Sequence, residues 1–337
     1  MLKQRAIDAC LAEGFDQAGI APVDAPPNLD KFHQWLADGY AATMGYMHRW
    51  KALRADPKSL LPTAKSAIVA ALSYAQGKPR GKEHRIAQYA WGKDYHKVVR
   101  EKFRRVQAAI GVEADYRICV DSAPILERDL GLLAGIGWYG KNSCLIDSKR
   151  GSLFFLGVML TSLELEPDKP AVGGCGTCRA CIDACPTGAI VEPYRVDSSR
   201  CISYLTIEHR GPIDDELKPK MGDWIFGCDV CQDVCPFNQA RASQPMRAAP
   251  ATDEQIASEP LDMTLEQILA LSEEDFRARF QGSAIKRAKR AGIVRNGAIA
   301  AKNRPDLRDR LSALTEDEDE GVRDAARWAL EIRPEQQ

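Results

Sequence analysis

The chain has 337 residues, 45% of them hydrophobic and 28% charged, with a net charge of -1. That composition excludes disordered and fibrous classes and leaves enough chain for two or three domains with cores of their own. The most apolar segment, Leu153 to Leu163, is far shorter than the roughly 20 residues of a membrane helix, and the start Met1-Leu-Lys-Gln-Arg-Ala-Ile carries neither a secretory nor a twin-arginine signal. A soluble, cytoplasmic protein is expected.

Within residues 1–165, Ala67-Ile-Val-Ala-Ala-Leu72 and Arg117-Ile-Cys-Val120 read as short buried strands. Lys97 to Ile110 reads as an amphipathic helix with Val98, Phe103, Val106 and Ile110 apolar, and together these elements predict an α/β sandwich. Asp121 stands where the second strand ends, and Ser122 with Pro124 looks like the cap and first turn of a helix running to Ala134. A carboxyl partly buried at a strand end has its pKa raised enough to donate a proton; the plainer reading is a turn aspartate. Tyr89-Ala-Trp-Gly-Lys-Asp-Tyr-His96 suits the wall of a cofactor pocket or its cover. Val99 occupies the glycine position of the corrinoid-ligating pattern Asp-x-His-x-x-Gly, so His96 reads as structural. Gly135-Ile-Gly-Trp-Tyr-Gly140 spells G-x-G-x-x-G, but a helix precedes it and a strand follows. A dinucleotide site needs the opposite order.

After the Pro- and Gly-rich stretch Glu166 to Gly174, seven of the eleven cysteines fall in two runs. They are Cys175-Gly-Thr-Cys178-Arg-Ala-Cys181-Ile-Asp-Ala-Cys185-Pro186 and Cys228-Asp-Val-Cys231-Gln-Asp-Val-Cys235-Pro236. The first has the bacterial ferredoxin spacing, in which three thiolates bind one 4Fe-4S cube and the fourth crosses to a second. The second run has Ile225 where its leading cysteine belongs, and Cys201 is the obvious replacement. By this spacing Cys175, Cys178, Cys181 and Cys235 hold one cluster and Cys185, Cys201, Cys228 and Cys231 the other, whereas a zinc tetrahedron explains the pattern poorly. Cys10, Cys119 and Cys144 read as buried small hydrophobes.

Beyond the polar linker Gln239 to Pro260 the composition turns helical. Val322, Ala325, Ala326, Ala329 and Leu330 form one stripe, and Ile285 to Ala301 reads as a helix interrupted by Gly292 and Gly297. Paired short helices of this kind suggest a HEAT-type unit. From Arg277 to Arg310 there are eleven Lys or Arg against Asp306 and Asp309, and Lys78 to Arg105 carries ten against three acids. Two basic surfaces on a neutral protein suit a polyanion, with nucleic acid the leading candidate. The fold class is thus α+β multidomain: an α/β domain over 1–165, a two-cluster ferredoxin-like module over 166–240 and an all-helical HEAT-like domain over 241–337.

The ordered set of strings resembles the epoxyqueuosine reductase family across nearly the whole chain. It comprises Tyr89 to His96, Val120-Asp-Ser-Ala-Pro-Ile-Leu-Glu-Arg128, Gly135 to Asn142, Arg200-Cys-Ile-Ser-Tyr-Leu-Thr-Ile-Glu208, Gly227 to Pro236 and Phe280-Gln-Gly-Ser-Ala-Ile-Lys-Arg287. The resemblance implies a cobalamin in the N-terminal domain and reduction of epoxyqueuosine to queuosine at the wobble position of tRNA. Cob(I)alamin fed by the two clusters would do the reduction, with Asp121 as proton donor. It implies cobalamin contacts at Asp94, Tyr95, Asp121, Lys141, Asn142 and Leu145, and an unidentified electron donor. Lys286, Arg287, Lys289, Arg290 and Arg295 would neutralise phosphates of the anticodon stem-loop. The alternatives are a corrinoid iron-sulfur reductive dehalogenase and a non-enzymatic iron-sulfur protein for electron transfer or RNA binding. No heptad repeat asks for a second chain, so a monomer is expected.

Overall fold

Ser66–Ser73 reads Ser-Ala-Ile-Val-Ala-Ala-Leu-Ser, and every residue of it is buried. Successive side chains of a strand point to opposite faces. Ile68, Ala70 and Leu72 therefore enter one apolar cluster, while Ala67, Val69 and Ala71 enter another. In the computed structural model, which describes residues 1–76, 83–239, 251–259 and 261–332, this strand lies inside a four-stranded sheet. The order is Gln17–Pro22, Ser66–Ser73, Phe154–Thr161, Tyr116–Cys119, with all neighbours antiparallel. Lys78, Arg80, Lys82 and residues 240–250 and 260 of the linker lie outside the described residues.

A sheet apolar on both faces needs a helix on each. Tyr95–Ile110 covers one face with Val98, Val99, Phe103, Val106 and Ile110, beside Leu2–Ala12. The approach is close: a Cβ on Gly157 of the facing strand would stand 2.5 Å from the Phe103 ring. The helix starts at Tyr95, two residues before the position expected, because the Asp94 carboxylate accepts the His96 N–H at 3.1 Å as its cap. Glu127–Leu133 covers the other face through Leu130.

The expected helix start at Ser122 and Pro124 is corrected. Residues 121–126 form a loop, and the helix begins at Glu127. Asp121 has φ +50°, a left-handed conformation costly for a residue with a Cβ. The Glu127 carboxyl turns back to accept the Asp121 N–H, which holds that turn.

In the cysteine-rich module, Ala180–Asp183 packs against Val230–Asp233. Two ties bind the module to the sandwich. Trp224–Phe226 pairs parallel with Arg85–Ile86, and the buried Gln232 and Asn238 amides donate to Ser152 at 2.8 to 3.1 Å. Trp138–Tyr139 and Leu145–Ile146 form a hairpin after the helix, the reverse of a dinucleotide-binding turn, as expected. Trp138 and Ile146 pack on Cys235 and Cys175, so the glycine loop braces a cysteine group.

Lys289–Ala300 runs unbroken through Gly292 and Gly297, contrary to the sequence expectation, and every residue from Gly292 to Ala300 is buried. Gly297 is there because a Cβ would come within 2.8 Å of Ile268. This helix packs against Trp224–Phe226, Ile202–Ile207, Leu265–Leu269 and Glu320–Glu331. One core therefore joins the second half of the cysteine module to the C-terminal helices. Glu320–Glu331 buries Val322, Ala325, Ala326 and Ala329, the stripe read from sequence. Among the described residues no helix is long and apolar enough to cross a membrane.

Candidate active site

The cysteines of the two sequence runs act on one another electrostatically, with Cys201 among them. Cys235 lies in the field of Cys175 and Cys178, and Cys181 in that of Cys175, Cys235 and Cys178. Cys228 lies in the field of Cys201 and Cys185, and Cys231 in that of Cys144, Cys201, Cys228 and Cys181. Burial first, and then the neighbouring sulfurs, raise these four thiols; Cys228 is pushed up to about 12. No disulfide links any of the eight.

Asp121 sits on the loop that leaves the Tyr116–Cys119 strand, with its side chain 63% exposed. His96 lies between two carboxylates: Nδ1 is 2.7 Å from Asp94 Oδ1 and Nε2 is 3.2 Å from Asp121 Oδ2. The Tyr95 hydroxyl also donates to Asp121. Crowding by the surrounding protein pushes the Asp121 carboxyl up, but the His96 and Tyr95 hydrogen bonds and the Arg128 charge outweigh it and hold Asp121 below the usual range. The sequence expectation of a raised pKa at Asp121 is thus reversed. Burial opposes a charge on His96, yet Asp121 and Asp94 raise it to about 9. Glu127 is the carboxyl that goes up: enclosure and the neighbouring Asp121 charge push it to about 8. Two adjacent carboxyls are driven in opposite directions, a common arrangement at sites of acid and base chemistry.

Three further groups ring this basin. Arg54 is buried, its Nη1 has no hydrogen-bond partner among the described residues, and it stands among Tyr46, Glu127 and Asp121. The Arg287 guanidinium pairs with Glu208 through two bonds of 2.8 Å and lies 5.9 Å over the Tyr46 ring. Arg128 donates to Ser143 O, and its charge acts on Asp121, Glu127 and Cys144. Cys144 in turn adjoins Cys231. The basin thus reaches from Asp121 to the edge of the second cysteine group.

The structure sorts the residues singled out by sequence. Asp94, Tyr95 and Asp121 come together here, with Tyr95 stacked between His96 at 4.1 Å and Phe155 at 4.3 Å. Lys141 donates to Gly176 O and Cys178 O at 2.8 Å, and Asn142 donates to Cys231 O at 3.4 Å. Both therefore brace the cysteine loops. Leu145 is buried in the hairpin. Lys286, Arg287 and Lys289 are exposed, while Arg290 is largely enclosed with Asp317 at 2.7 Å. Arg295 is 2% exposed and donates to the carbonyls of Leu205, His209 and Gly211. It cannot reach a phosphate, which corrects that expectation. Cys10 and Cys119 are buried free thiols, as expected. Arg54, Tyr46, Glu208 and Glu127 went unnoticed in the sequence. Only Glu127 had a signal, and an acid in a first helical turn is ordinary.

Two cysteine groups beside a charged basin define a two-cluster iron-sulfur redox protein. Residues 174–238 match the family model for a 4Fe-4S double cluster binding domain, and residues 54–122 match the one described as epoxyqueuosine reductase QueG, DUF1730. The epoxyqueuosine reductase of Xanthomonas campestris pv. campestris is 39% identical, over 94% of this chain and 92% of its own. That of Escherichia coli K12 is 42% identical, over 89% and 81%. A crystal structure of epoxyqueuosine reductase with a tRNA-Tyr epoxyqueuosine-modified stem loop superposes with a TM-score of 0.86 at 30% identity, covering 98% of this chain and 89% of that one. The Bacillus subtilis enzyme, described with its catalytic aspartate loop swung out of the active site, gives 0.82 at 30% identity, over 97% and 89%. The chain belongs to the epoxyqueuosine reductase family.

The detached Cys201 offers a direct test of the crossed grouping. Cys201→Ala is expected to lose one cluster, leaving about four of eight irons per chain after anaerobic reconstitution, as read by iron and sulfide analysis. Retention of all eight would remove Cys201 from the ligand set.

Proposed function

We propose that this chain removes the epoxide oxygen of epoxyqueuosine in tRNA, giving queuosine and water, with electrons entering singly through two 4Fe-4S clusters. The observation that carries this reading is one cluster of interacting groups that links the Asp121 carboxylate, the cysteines reached through Arg128 and Cys144, and the basic segment whose Arg287 lies over Tyr46. Cys175, Cys178, Cys181 and Cys235 would hold one cluster, and Cys185, Cys201, Cys228 and Cys231 the other. The solved relative with a modified stem loop supports tRNA as substrate. A relative whose catalytic aspartate loop is swung out of the active site supports Asp121, itself a loop residue in a left-handed turn.

Cobalamin fits the residues of the basin. A flat macrocycle with amide arms needs apolar walls and a few polar partners. Tyr74, Tyr89, Tyr95 and Phe155 form an aromatic cluster packed on itself beside Asp121, and the buried Arg54 Nη1, without a partner among the described residues, offers a donor there. Asp94, Tyr95, Asp121 and Leu145 remain the proposed contacts, with Lys141 and Asn142 shaping the wall through the cysteine loops. Bound there, cobalamin would supply the reductive opening of the epoxide. The chain's own residues orient the modified base, which a single-stranded loop can splay outward, and Asp121 delivers protons to the departing oxygen.

Lys286, Arg287 and Lys289 would neutralise phosphates near the basin mouth. The helix pair Arg308–Leu314 and Glu320–Glu331 would form a HEAT-type support beneath them. The reaction needs an external electron donor, and the cytoplasm is the proposed compartment.

Reconstituted with iron, sulfide and cobalamin under strong reductant, the protein is expected to convert epoxyqueuosine in tRNA from cells lacking this activity, as read by nucleoside mass spectrometry. No conversion would sink the assignment. Asp121→Asn should keep both clusters and cobalamin yet lose turnover by about 10²-fold or more; full activity would return Asp121 to a turn residue. Joint replacement of Lys286 and Lys289 by Ala should weaken stem-loop binding. It should also flatten the plot of log affinity against log salt by about 0.7 per lost phosphate contact, measured by fluorescence anisotropy. An unchanged slope would place the RNA elsewhere.

A further inference from the structure

We propose that His96 is the positioning residue that reloads Asp121 with protons, through the hydrogen-bonded line Asp94, His96, Asp121. The inference rests on the proposed reaction. Reductive loss of an epoxide oxygen consumes two electrons and two protons and releases one water, while a carboxyl delivers one proton at a time. The proposed clusters and their external donor supply the electrons; the second proton requires a reload.

The geometry assigns that task to His96. Each of its ring nitrogens faces a carboxylate oxygen, at 2.7 Å and 3.2 Å. Carboxylates only accept, and only the imidazolium donates from both nitrogens. The groups around it are Asp94 and Tyr95 on its own helix, with Lys97 beside Asp94, and Asp121 and Glu127 across the basin, with Arg128 beside them. In each cycle the Nε2–H bond breaks and an O–H bond forms on Asp121 Oδ2. That proton then passes to the departing oxygen as its bond to carbon breaks, leaving Asp121 ionised and His96 neutral with Nδ1–H on Asp94. Water restores the Nε2 proton, and the same transfer converts the released hydroxyl to water. Asp94 also caps the helix by accepting the His96 N–H, so one carboxylate fixes both ring and backbone.

Diethyl pyrocarbonate attacks only neutral imidazole and reads the charge of His96 without turnover. Peptide mass spectrometry of the cluster-loaded protein should give a modification midpoint near the expected pKa of about 9, shifted downward in Asp121→Asn. His96→Gln keeps a donor toward Asp121 but has no proton to give. Its single-turnover rate should fall on the order of 10²-fold and lose the alkaline limb, with iron content and stem-loop affinity intact. Glu127→Gln should keep that limb, which separates His96 from the other group that titrates at about 8. A midpoint near the ordinary imidazole value of about 6.5, or a wild-type rate and pH profile in His96→Gln, would overturn the proposal. If the wild-type protein formed no queuosine at all, the functional reading would fail while the modification midpoint still reported on His96.

Discussion

Thiols brought together out of water resist ionisation, and thiolates brought together repel one another. Both effects raise Cys181, Cys228, Cys231 and Cys235, and iron is what relieves them, because a metal binds the deprotonated form and its charge offsets the sulfurs. The proposed clusters are therefore structural as well as electronic. Cys201 and Cys228 pack against the same core that holds the C-terminal helices, and Trp138 and Ile146 pack on Cys235. Loss of iron would be felt from the glycine hairpin to the basic segment.

The basin beside the second group works by opposed electrostatics. Asp121 gains His96, Tyr95 and Arg128 and stays ionised; Glu127 has the same neighbourhood at its back and becomes the protonated partner. The left-handed turn at Asp121 makes the difference possible, since it sends the carboxylate toward His96 while its N–H is held by Glu127. Backbone strain of this kind is common at functional sites, which agrees with the role proposed for Asp121. Here the surrounding sandwich, with Gly157 letting Phe103 sit against the sheet, holds the residue in place.

Local chemistry was legible in the sequence and tertiary chemistry was not. The cysteine spacing pointed to two 4Fe-4S clusters, and residues 174–238 match a double-cluster domain, because ferredoxin ligands are set by short-range geometry. The alternation in Ser66–Ser73 and the stripe in Glu320–Glu331 gave their elements because burial follows period. The loop at 121–126 was misread as a helix start, since Ser-x-Pro satisfies local capping rules and only the distant Glu127 and His96 contacts favour another turn. Gly292 and Gly297 look like breaks until a neighbouring Ile268 explains one of them. Arg295 looks like one cation in a basic run, yet the helix that carries it is buried on every side and its guanidinium closes carbonyls of another segment. His96 reads as structural for want of a glycine three residues on, and its contact with a carboxylate 25 positions away is tertiary and has no local signal.

The crossed assignment of thiols is the claim on which the rest stands, and it can be read chemically. In anaerobically reconstituted Cys235→Ala, alkylation by iodoacetamide mapped by peptide mass spectrometry should label Cys175, Cys178 and Cys181 while Cys185, Cys201, Cys228 and Cys231 stay protected. Labelling of Cys228 and Cys231 instead, with Cys175, Cys178 and Cys181 protected, would show that each run holds its own cluster and would contradict the account.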